Sequence, residues 1–494
     1  MNNKFDIVPN CILSVIVMIW VVLFPGITTA QIQSNADNSH LFISVSSVNK
    51  NYLVCSDGTP YIPIGPNICW PRFVTSEKEG LAKMQYFIEK LRENHCNYTR
   101  IWLSSPFFDI EEKNAGKYDS VKIMRVDSVI NMAAGAGIKV KLCIENFRDL
   151  TNRPASFPGS VPFDRPFYAK INGGPFESMP HFISSIEGKD LYIRKLQFFA
   201  KRYGQNSAIY GWELWNEINA VNVDEPLLFD WTSEILKEAK KIFPNHVVMQ
   251  SLGSFDNEKL KEIYPKYMKL GGNEIAQVHR YLDLGARLDV CKGAMDILAA
   301  SATRELLSYN PQKPVLVSEI GAVEANHSGP SLLYDIDTKG ILLHDMLFAP
   351  FFSGAAGPGQ SWHWDFYIEK NNLWWHFDRF YQVVKNIDPV GESFEPFSIV
   401  TNSMRIYGLK GKHTTLLWCR DSNSNWSTEL VQKIVPSPLV NQSLTLNQLK
   451  LINQQISKID FYNPWVNEWS SEKSNSKQID LPPFVRSLVV RITY

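Results

Sequence analysis

From about residue 61 to residue 384, short apolar runs of strand length alternate with helical stripes, and the alternation repeats eight times. The strand-like runs fall at 61–67, 97–103, 138–144, 208–214, 246–252, 275–279, 314–318 and 357–364. Leu81, Met84, Phe87, Ile88 and Leu91 recur at the spacing of one helix face. Similar stripes predict helices over 121–134, 189–203, 227–242, 258–270, 294–307, 332–347 and 375–384. Parallel strands need a long crossover, and a helix is the usual one. Eight strand–helix units therefore predict a closed (β/α)8 TIM barrel. A chain that is 45% apolar and 20% charged can fill the core such a barrel requires.

The ends of the chain read differently. Lys4 precedes an apolar stretch over 11–24, and Thr28-Thr-Ala30 offers small residues before Gln31. This is the pattern of a cleavable export signal over 1–30, although Asp6 weakens its basic start. The stretch is short for a spanning helix, so no stable membrane span is expected after cleavage. Asp57-Gly58 marks a hairpin ahead of the barrel. From about Phe397 short alternating segments appear at 416–419, 431–435, 456–462 and 485–492, separated by Asn, Ser and Pro clusters. They predict a small antiparallel, sandwich-like β domain over 397–494, behind a barrel domain over 31–396.

Composition excludes several classes. Formal net charge is zero, with 50 basic and 50 acidic residues, so nothing resembles a nucleic-acid footprint. After signal cleavage Cys55, Cys69, Cys96, Cys143, Cys291 and Cys419 remain, scattered and without metal-ligand spacing. Most are expected as buried free thiols, and no metal or cofactor is expected. No phosphate-loop pattern and no G-x-S-x-G elbow is present. Of four glycosylation sequons, the one at Asn97 falls where the chain should be buried.

Two glutamates carry the chemistry. Glu217 ends the apolar run Ile209-Tyr-Gly-Trp-Glu-Leu-Trp-Asn-Glu217, and Glu319 ends Pro314-Val-Leu-Val-Ser-Glu319. A barrel strand that runs into a carboxylate delivers it to the mouth where such folds do chemistry. Paired carboxyl groups facing one bond are the equipment of glycoside hydrolysis. Their environments must differ: a Trp and an Asn beside Glu217 could keep it protonated, and an Arg near Glu319 would keep that group ionised. The segment 148–188, rich in Pro, Gly, Phe and Ser, follows the third strand and lies on the same face, as a binding loop would. Several of the 14 tryptophans sit at predicted strand ends, Trp70, Trp102, Trp215, Trp362 and Trp364 among them, where rings can stack on sugar faces.

Taken together, Asn97-Tyr-Thr-Arg100, Trp215-Asn-Glu217, His279-Arg-Tyr281, Glu319-Ile-Gly321 and Trp362-His-Trp364, each at its own strand, resemble glycoside hydrolase family 5, in its cellulase and β-mannanase-like branch. The resemblance spans roughly 41–388. It implies Glu217 as acid/base and Glu319 as nucleophile. Arg100 would hold the nucleophile ionised, Asn216 would bond the sugar 2-hydroxyl, and Tyr281 would orient Glu319. His279 would contact the acid/base or the sugar, and Trp362 or Trp364 would lie under the sugar. These two share strand parity, so both could face inward. Many family members carry a His after the third strand; here the chain reads Cys143-Ile-Glu-Asn146, so Glu145 or Asn146 would take that place.

Singly, each motif has a plainer meaning: a core Trp, an interior His, a salt-bridged Arg. Glu213 is expected inside the barrel, paired with a basic group. The function implied is an exported, retaining β-glycosidase, monomeric, acting on an oligo- or polysaccharide, with β-mannan the first candidate. A β-glucanase, an exo-β-mannosidase and a carbohydrate-binding pseudoenzyme are the alternatives.

Overall fold

Tyr98–Trp102, Lys139–Glu145, Ile209–Trp215 and Val247–Met249 lie side by side as parallel strands, with every residue buried. They are barrel strands two to five. Strands six and seven, Ala276–Asp283 and Val315–Val323, form a second parallel pair. The structure is a computed structural model and describes residues 40–111, 114–152, 166–472 and 478–494. The expected signal segment lies outside the described residues, as do residues 153–165 of the loop after the third strand.

Strands one and eight are extended segments rather than full ladders. Asn97 and Tyr98 both donate their backbone N–H to Ile64 O, and Asn67 N donates to Ser361 O over 3.0 Å. Ala356 N and Gln360 N donate to Val315 O and Val317 O, each over 2.9 Å. Glu274 N donates to Val248 O and joins strands five and six. These bonds close an eight-stranded barrel. Regular pairing expected over 61–67 is confined to Pro60–Tyr61, which pairs with Leu53–Cys55 in an antiparallel hairpin. At Gly65 a Cβ would lie 2.0 Å from Tyr98 O, so the close approach of strand one requires glycine.

The helix expected over 332–347 breaks in two, Leu333–Ile336 and Ile341–Phe352. Gly340 between them has φ of 70°, left-handed, and a Cβ there would strike the His376 ring. All twelve residues of Ile341–Phe352 are buried. A helix apolar on every side must be covered on every side. Its inner side packs on the barrel, and its outer side is covered by the C-terminal sheet.

That sheet has six strands, in the order Glu395–Val400, Met404–Lys410, Thr414–Asp421, Ser487–Thr493, Lys458–Asn463 and Glu468–Glu472. Alternation along Thr414–Asp421 divides its side chains. Leu416 and Trp418 join the barrel's core, whereas Leu417 and Cys419 join a second core under the short pair Gln442–Thr445 and Gln478–Leu481. The segment 431–435 is not the expected strand. Ser427–Val431 is helical, and the chain then runs along the surface. Arg420 Nε bonds Asp345 Oδ1 over 2.7 Å, and Arg405 Nε bonds Asp296 Oδ2 over 2.6 Å, so two salt bridges fasten the sheet to barrel helices. All six described cysteines are buried free thiols. Among the described residues no helix is long and apolar enough to cross a membrane.

Candidate active site

The side chains of the site come from within barrel strands two, six and seven and from the turn after strand four. Strand four ends on Trp215, and Glu217 follows two residues later in the left-handed conformation, φ 53° and ψ 57°. A non-glycine residue held there costs about 1–3 kcal/mol. The turn is fixed from both sides: Glu217 N donates to Ser251 Oγ over 3.0 Å, and Arg148 Nη1 donates to Glu217 O over 3.0 Å. Strand seven brings in Glu319, which is 4% exposed.

His279, from strand six, lies between the two carboxylates. Its Nδ1 is 2.9 Å from Glu217 Oε1 and 3.4 Å from Glu319 Oε2. With carboxylate oxygens on both sides, the hydrogen is assigned to Nδ1. One oxygen of each glutamate and this nitrogen all lie within 4.8 Å of one another. Glu217 and Glu319 therefore face each other across a gap suited to one bond.

Glu319 is held by two donors. Arg100 Nη1 bonds its Oε1, and Tyr281 Oη donates to its Oε2 over 2.7 Å. Arg100 is fully buried; its Nη2 also donates to Glu213 Oε1 over 2.8 Å, and its Nε lies 2.8 Å from Glu213 Oε2 as an ion pair. Glu213 lies inside the barrel as expected, with Lys141 Nζ at 3.5 Å. Burial alone would raise its pKa, but the charges of Arg100 and Lys141 outweigh burial and hold it below the usual carboxylate range. Arg100 Nη2 also donates to Asn216 Oδ1 over 2.8 Å, which fixes that amide's orientation and leaves its NH2 as the remaining donor.

The surroundings of Glu217 are not the partly apolar site expected from the sequence: His279 and Arg148 face its carboxylate. Burial does raise its pKa, but the His279 hydrogen bond and the Arg148 charge lower it further, to well under the ordinary carboxylate value. Arg148 Nη2 lies 2.6 Å from Glu217 Oε2. Sequence reasoning missed this residue. Its position at the start of the loop on the mouth face was the available signal.

The tryptophan parity argument also fails. The extended segment of strand eight ends at Trp362; His363 turns it with φ of 60°, and Trp364 opens a helical turn, Trp364–Glu369. Trp364 is fully buried against Trp70 and Arg72. Trp362 keeps partial exposure and packs 5.2 Å from Trp102 and 5.9 Å from Trp70. Of the two, Trp362 is the ring that can present a face to a ligand. Glu145 does not face the mouth: its side chain is buried on Lys195 Nζ at 2.5 Å, while its carbonyl accepts Asn216 N–H. Asn146 accepts a hydrogen bond from Ser104 Oγ over 2.8 Å. The Asn97 side chain bonds Ile62 O and Ile64 N, and so serves the barrel wall.

A family model described as cellulase (glycosyl hydrolase family 5) matches residues 57–339. The chain is 24% identical over 285 residues to a putative mannan endo-1,4-beta-mannosidase 9 of Oryza sativa subsp. japonica, covering 53% of this chain and 68% of that protein. It is 23% identical over 207 residues to mannan endo-1,4-beta-mannosidase F of Aspergillus fumigatus, covering 39% of this chain and 43% of the fungal one. Two solved structures share the fold along nearly the whole length. One is a glycoside hydrolase with TM-score 0.59 and 12% identity, covering 92% of this chain and 97% of that one. The other is a glycoside hydrolase family 5 protein from Bacteroides vulgatus, with TM-score 0.58 and 13% identity, covering 92% and 93%.

Proposed function

Because the chain belongs to glycoside hydrolase family 5, and so is a glycoside hydrolase, we propose that it is a retaining β-glycosidase acting on β-mannan or its oligosaccharides. The observation that carries this reading is the facing pair Glu217 and Glu319, with oxygens within 4.8 Å across His279. Retaining enzymes keep their carboxyl groups about 5–5.5 Å apart, and inverting enzymes leave roughly 6.5–9.5 Å for a water.

Glu319 attacks the anomeric carbon while the bond to the leaving oxygen breaks, and Glu217 gives that oxygen its proton. A water then attacks the glycosyl–Glu319 ester, and Glu217 takes the water's proton as Glu319 departs. Arg100 and Tyr281 keep the Glu319 oxygens aimed and charged. Asn216 offers its NH2 to the sugar beside the reacting carbon, and Trp362 lies under the ring. His279 bridges the two carboxylates and orients Glu217.

The mannan preference is supported by the names of the rice and fungal relatives. Export with a signal over 1–30, and action as a monomer, belong to the same proposal. Reducing-sugar release from a panel of β-mannan, β-glucan, short β-mannosides and unrelated polysaccharides tests it. Mid-chain cleavage of β-mannan is expected. Release from β-glucan alone, or only of terminal mannose, would select one of the alternative activities. Binding without any release would make the protein a carbohydrate-binding relative.

A further inference from the structure

We infer that Arg148 is a positioning residue for the acid/base: from the start of the loop after barrel strand three it clamps Glu217 and sets the alkaline edge of the reaction's pH range. The inference rests on the reading of Glu217 as acid/base given above.

One planar group makes three contacts. Arg148 Nη1 bonds the carbonyl oxygens of Asn216 and of Glu217, the second over 3.0 Å, and Nη2 bonds Glu217 Oε2 over 2.6 Å. The guanidinium thus grips the left-handed turn and the carboxylate together. A lysine ammonium could not span these three acceptors in one plane.

The same contacts bear on the proton. A general acid must carry a hydrogen on one of its oxygens, and that hydrogen needs an acceptor or a free direction. Oε2 faces Arg148, which has donors only. Oε1 faces His279 Nδ1, whose hydrogen is shared with the Glu319 side. Both oxygens are therefore met by donors, which favours the carboxylate over the acid. Among the described residues, the other charged or titratable groups around Glu217 come from four elements. His279 and Tyr281 come from strand six, Glu319 from strand seven, His327 from the loop that follows it, and Tyr264 from the helix Leu260–Met268. Ser251, beyond strand five, is neutral and touches only the Glu217 backbone N–H. Among these groups Glu319 carries the charge that opposes a second negative one. Among the described residues Arg148 is the nearest permanent cation, and its side chain is 24% exposed.

Glycosylation needs protonated Glu217, and deglycosylation needs it ionised. By favouring the ionised form, Arg148 holds the first step's pH limit down. In the second step it keeps the base ready.

The test combines activity with a readout that needs no turnover. The pH dependence of kcat/KM on a β-1,4-mannooligosaccharide is measured for wild type, Arg148→Gln and Arg148→Lys. In parallel, carboxyl-13C glutamate NMR follows the Glu217 titration, assigned by the signal lost in Glu217→Gln. Removing an opposite charge this close should raise the Glu217 titration, and with it the alkaline limb, by roughly one to three pH units in Arg148→Gln. Arg148→Lys keeps a cation and should stay nearer to wild type. An unmoved Glu217 titration in Arg148→Gln would overturn the inference. So would a uniform loss of rate, or a raised KM alone, with the alkaline limb in place. A titration that moves while the limb stays would instead remove Glu217 from the acid role, and the inference would fall with it.

Discussion

Tyr281 Oη donates to Glu319 Oε2 over 2.7 Å, from the strand next to the one that carries the glutamate. The bond fixes the direction of the oxygen nearer to His279. A hydrogen bond to a charged group contributes about 1.5–3 kcal/mol. Tyr281→Phe should therefore lower kcat/KM roughly ten- to a hundredfold while leaving the fold intact. Glu319→Ala should abolish turnover. A 2-fluoro-sugar that traps the glycosyl-enzyme should label Glu319 in the wild type, as peptide mass spectrometry would show. A label on Glu145 or Glu213 would reassign the nucleophile.

The acid/base is separated from the nucleophile by leaving-group dependence. Glu217→Ala should cut activity on natural glycosides severely, but have a much smaller effect on cleavage of aryl glycosides whose phenolate leaves without a proton. Azide should restore part of the rate by attacking the glycosyl-enzyme from the space the side chain vacates. Equal losses on both substrates, with no azide effect, would take the role from Glu217.

The strand-end glutamates, Arg100, His279 and Tyr281 were legible because a parallel strand has a fixed polarity. A residue at its C-terminal end reaches the barrel mouth whatever the remaining packing does. Trp364 was not legible, since the parity argument holds only while the strand continues, and the left-handed His363 ends it. The break at Gly340 was hidden because the apolar pattern runs across it, and its left-handed backbone and the fit of His376 against the turn are what demand glycine. Arg148 was invisible as a partner of Glu217. The two lie 69 residues apart in sequence, and only the turn geometry at each strand end brings them together.

Arg100 anchors a buried charge network. Arg100→Met would leave Glu213 with only Lys141 at 3.5 Å and Glu319 without its guanidinium, and breaking such a buried pair from one side costs about 3–5 kcal/mol. Glu213 titrates below its ordinary value of 4.5. Its contribution to stability is therefore present above that value and lost as pH falls toward its folded-state pKa. Urea unfolding midpoints of the wild type should fall on acidification below about pH 4.5, whereas those of Arg100→Met should fall less or rise, because protonation relieves its unpaired carboxylates. Parallel acid profiles for the two proteins would mean that Glu213 is not held ionised by Arg100.

The C-terminal sheet covers the helix Ile341–Phe352, so removing it should not yield an independent barrel. A chain ending before Glu395 would expose the outer side of that helix, and it is expected in the insoluble fraction. Arg420→Met tests the interface within the full chain. It leaves Asp345 buried without its partner and should destabilise by about 3–5 kcal/mol. The rate on small aryl glycosides should be unchanged below the melting transition. A soluble, fully active truncation would contradict the covering role.

The stereochemical outcome follows from the gap between the carboxylates. Strands four and seven are three positions apart around the ring, and their ends bring Glu217 and Glu319 to facing positions, with His279 bonded to one and 3.4 Å from the other. A separation this short is that of retaining rather than inverting enzymes, so on the proposed reading the Glu319 carboxylate attacks in place of a water. Two displacements at one carbon restore its configuration. A β-linked mannooligosaccharide should first release the β-anomer, with the α-anomer growing only by mutarotation. Proton NMR over the first minutes of reaction distinguishes the two through the anomeric signals. An initial α-anomer would mean a single displacement by water, and Glu319 would then have to act as a base rather than as the nucleophile.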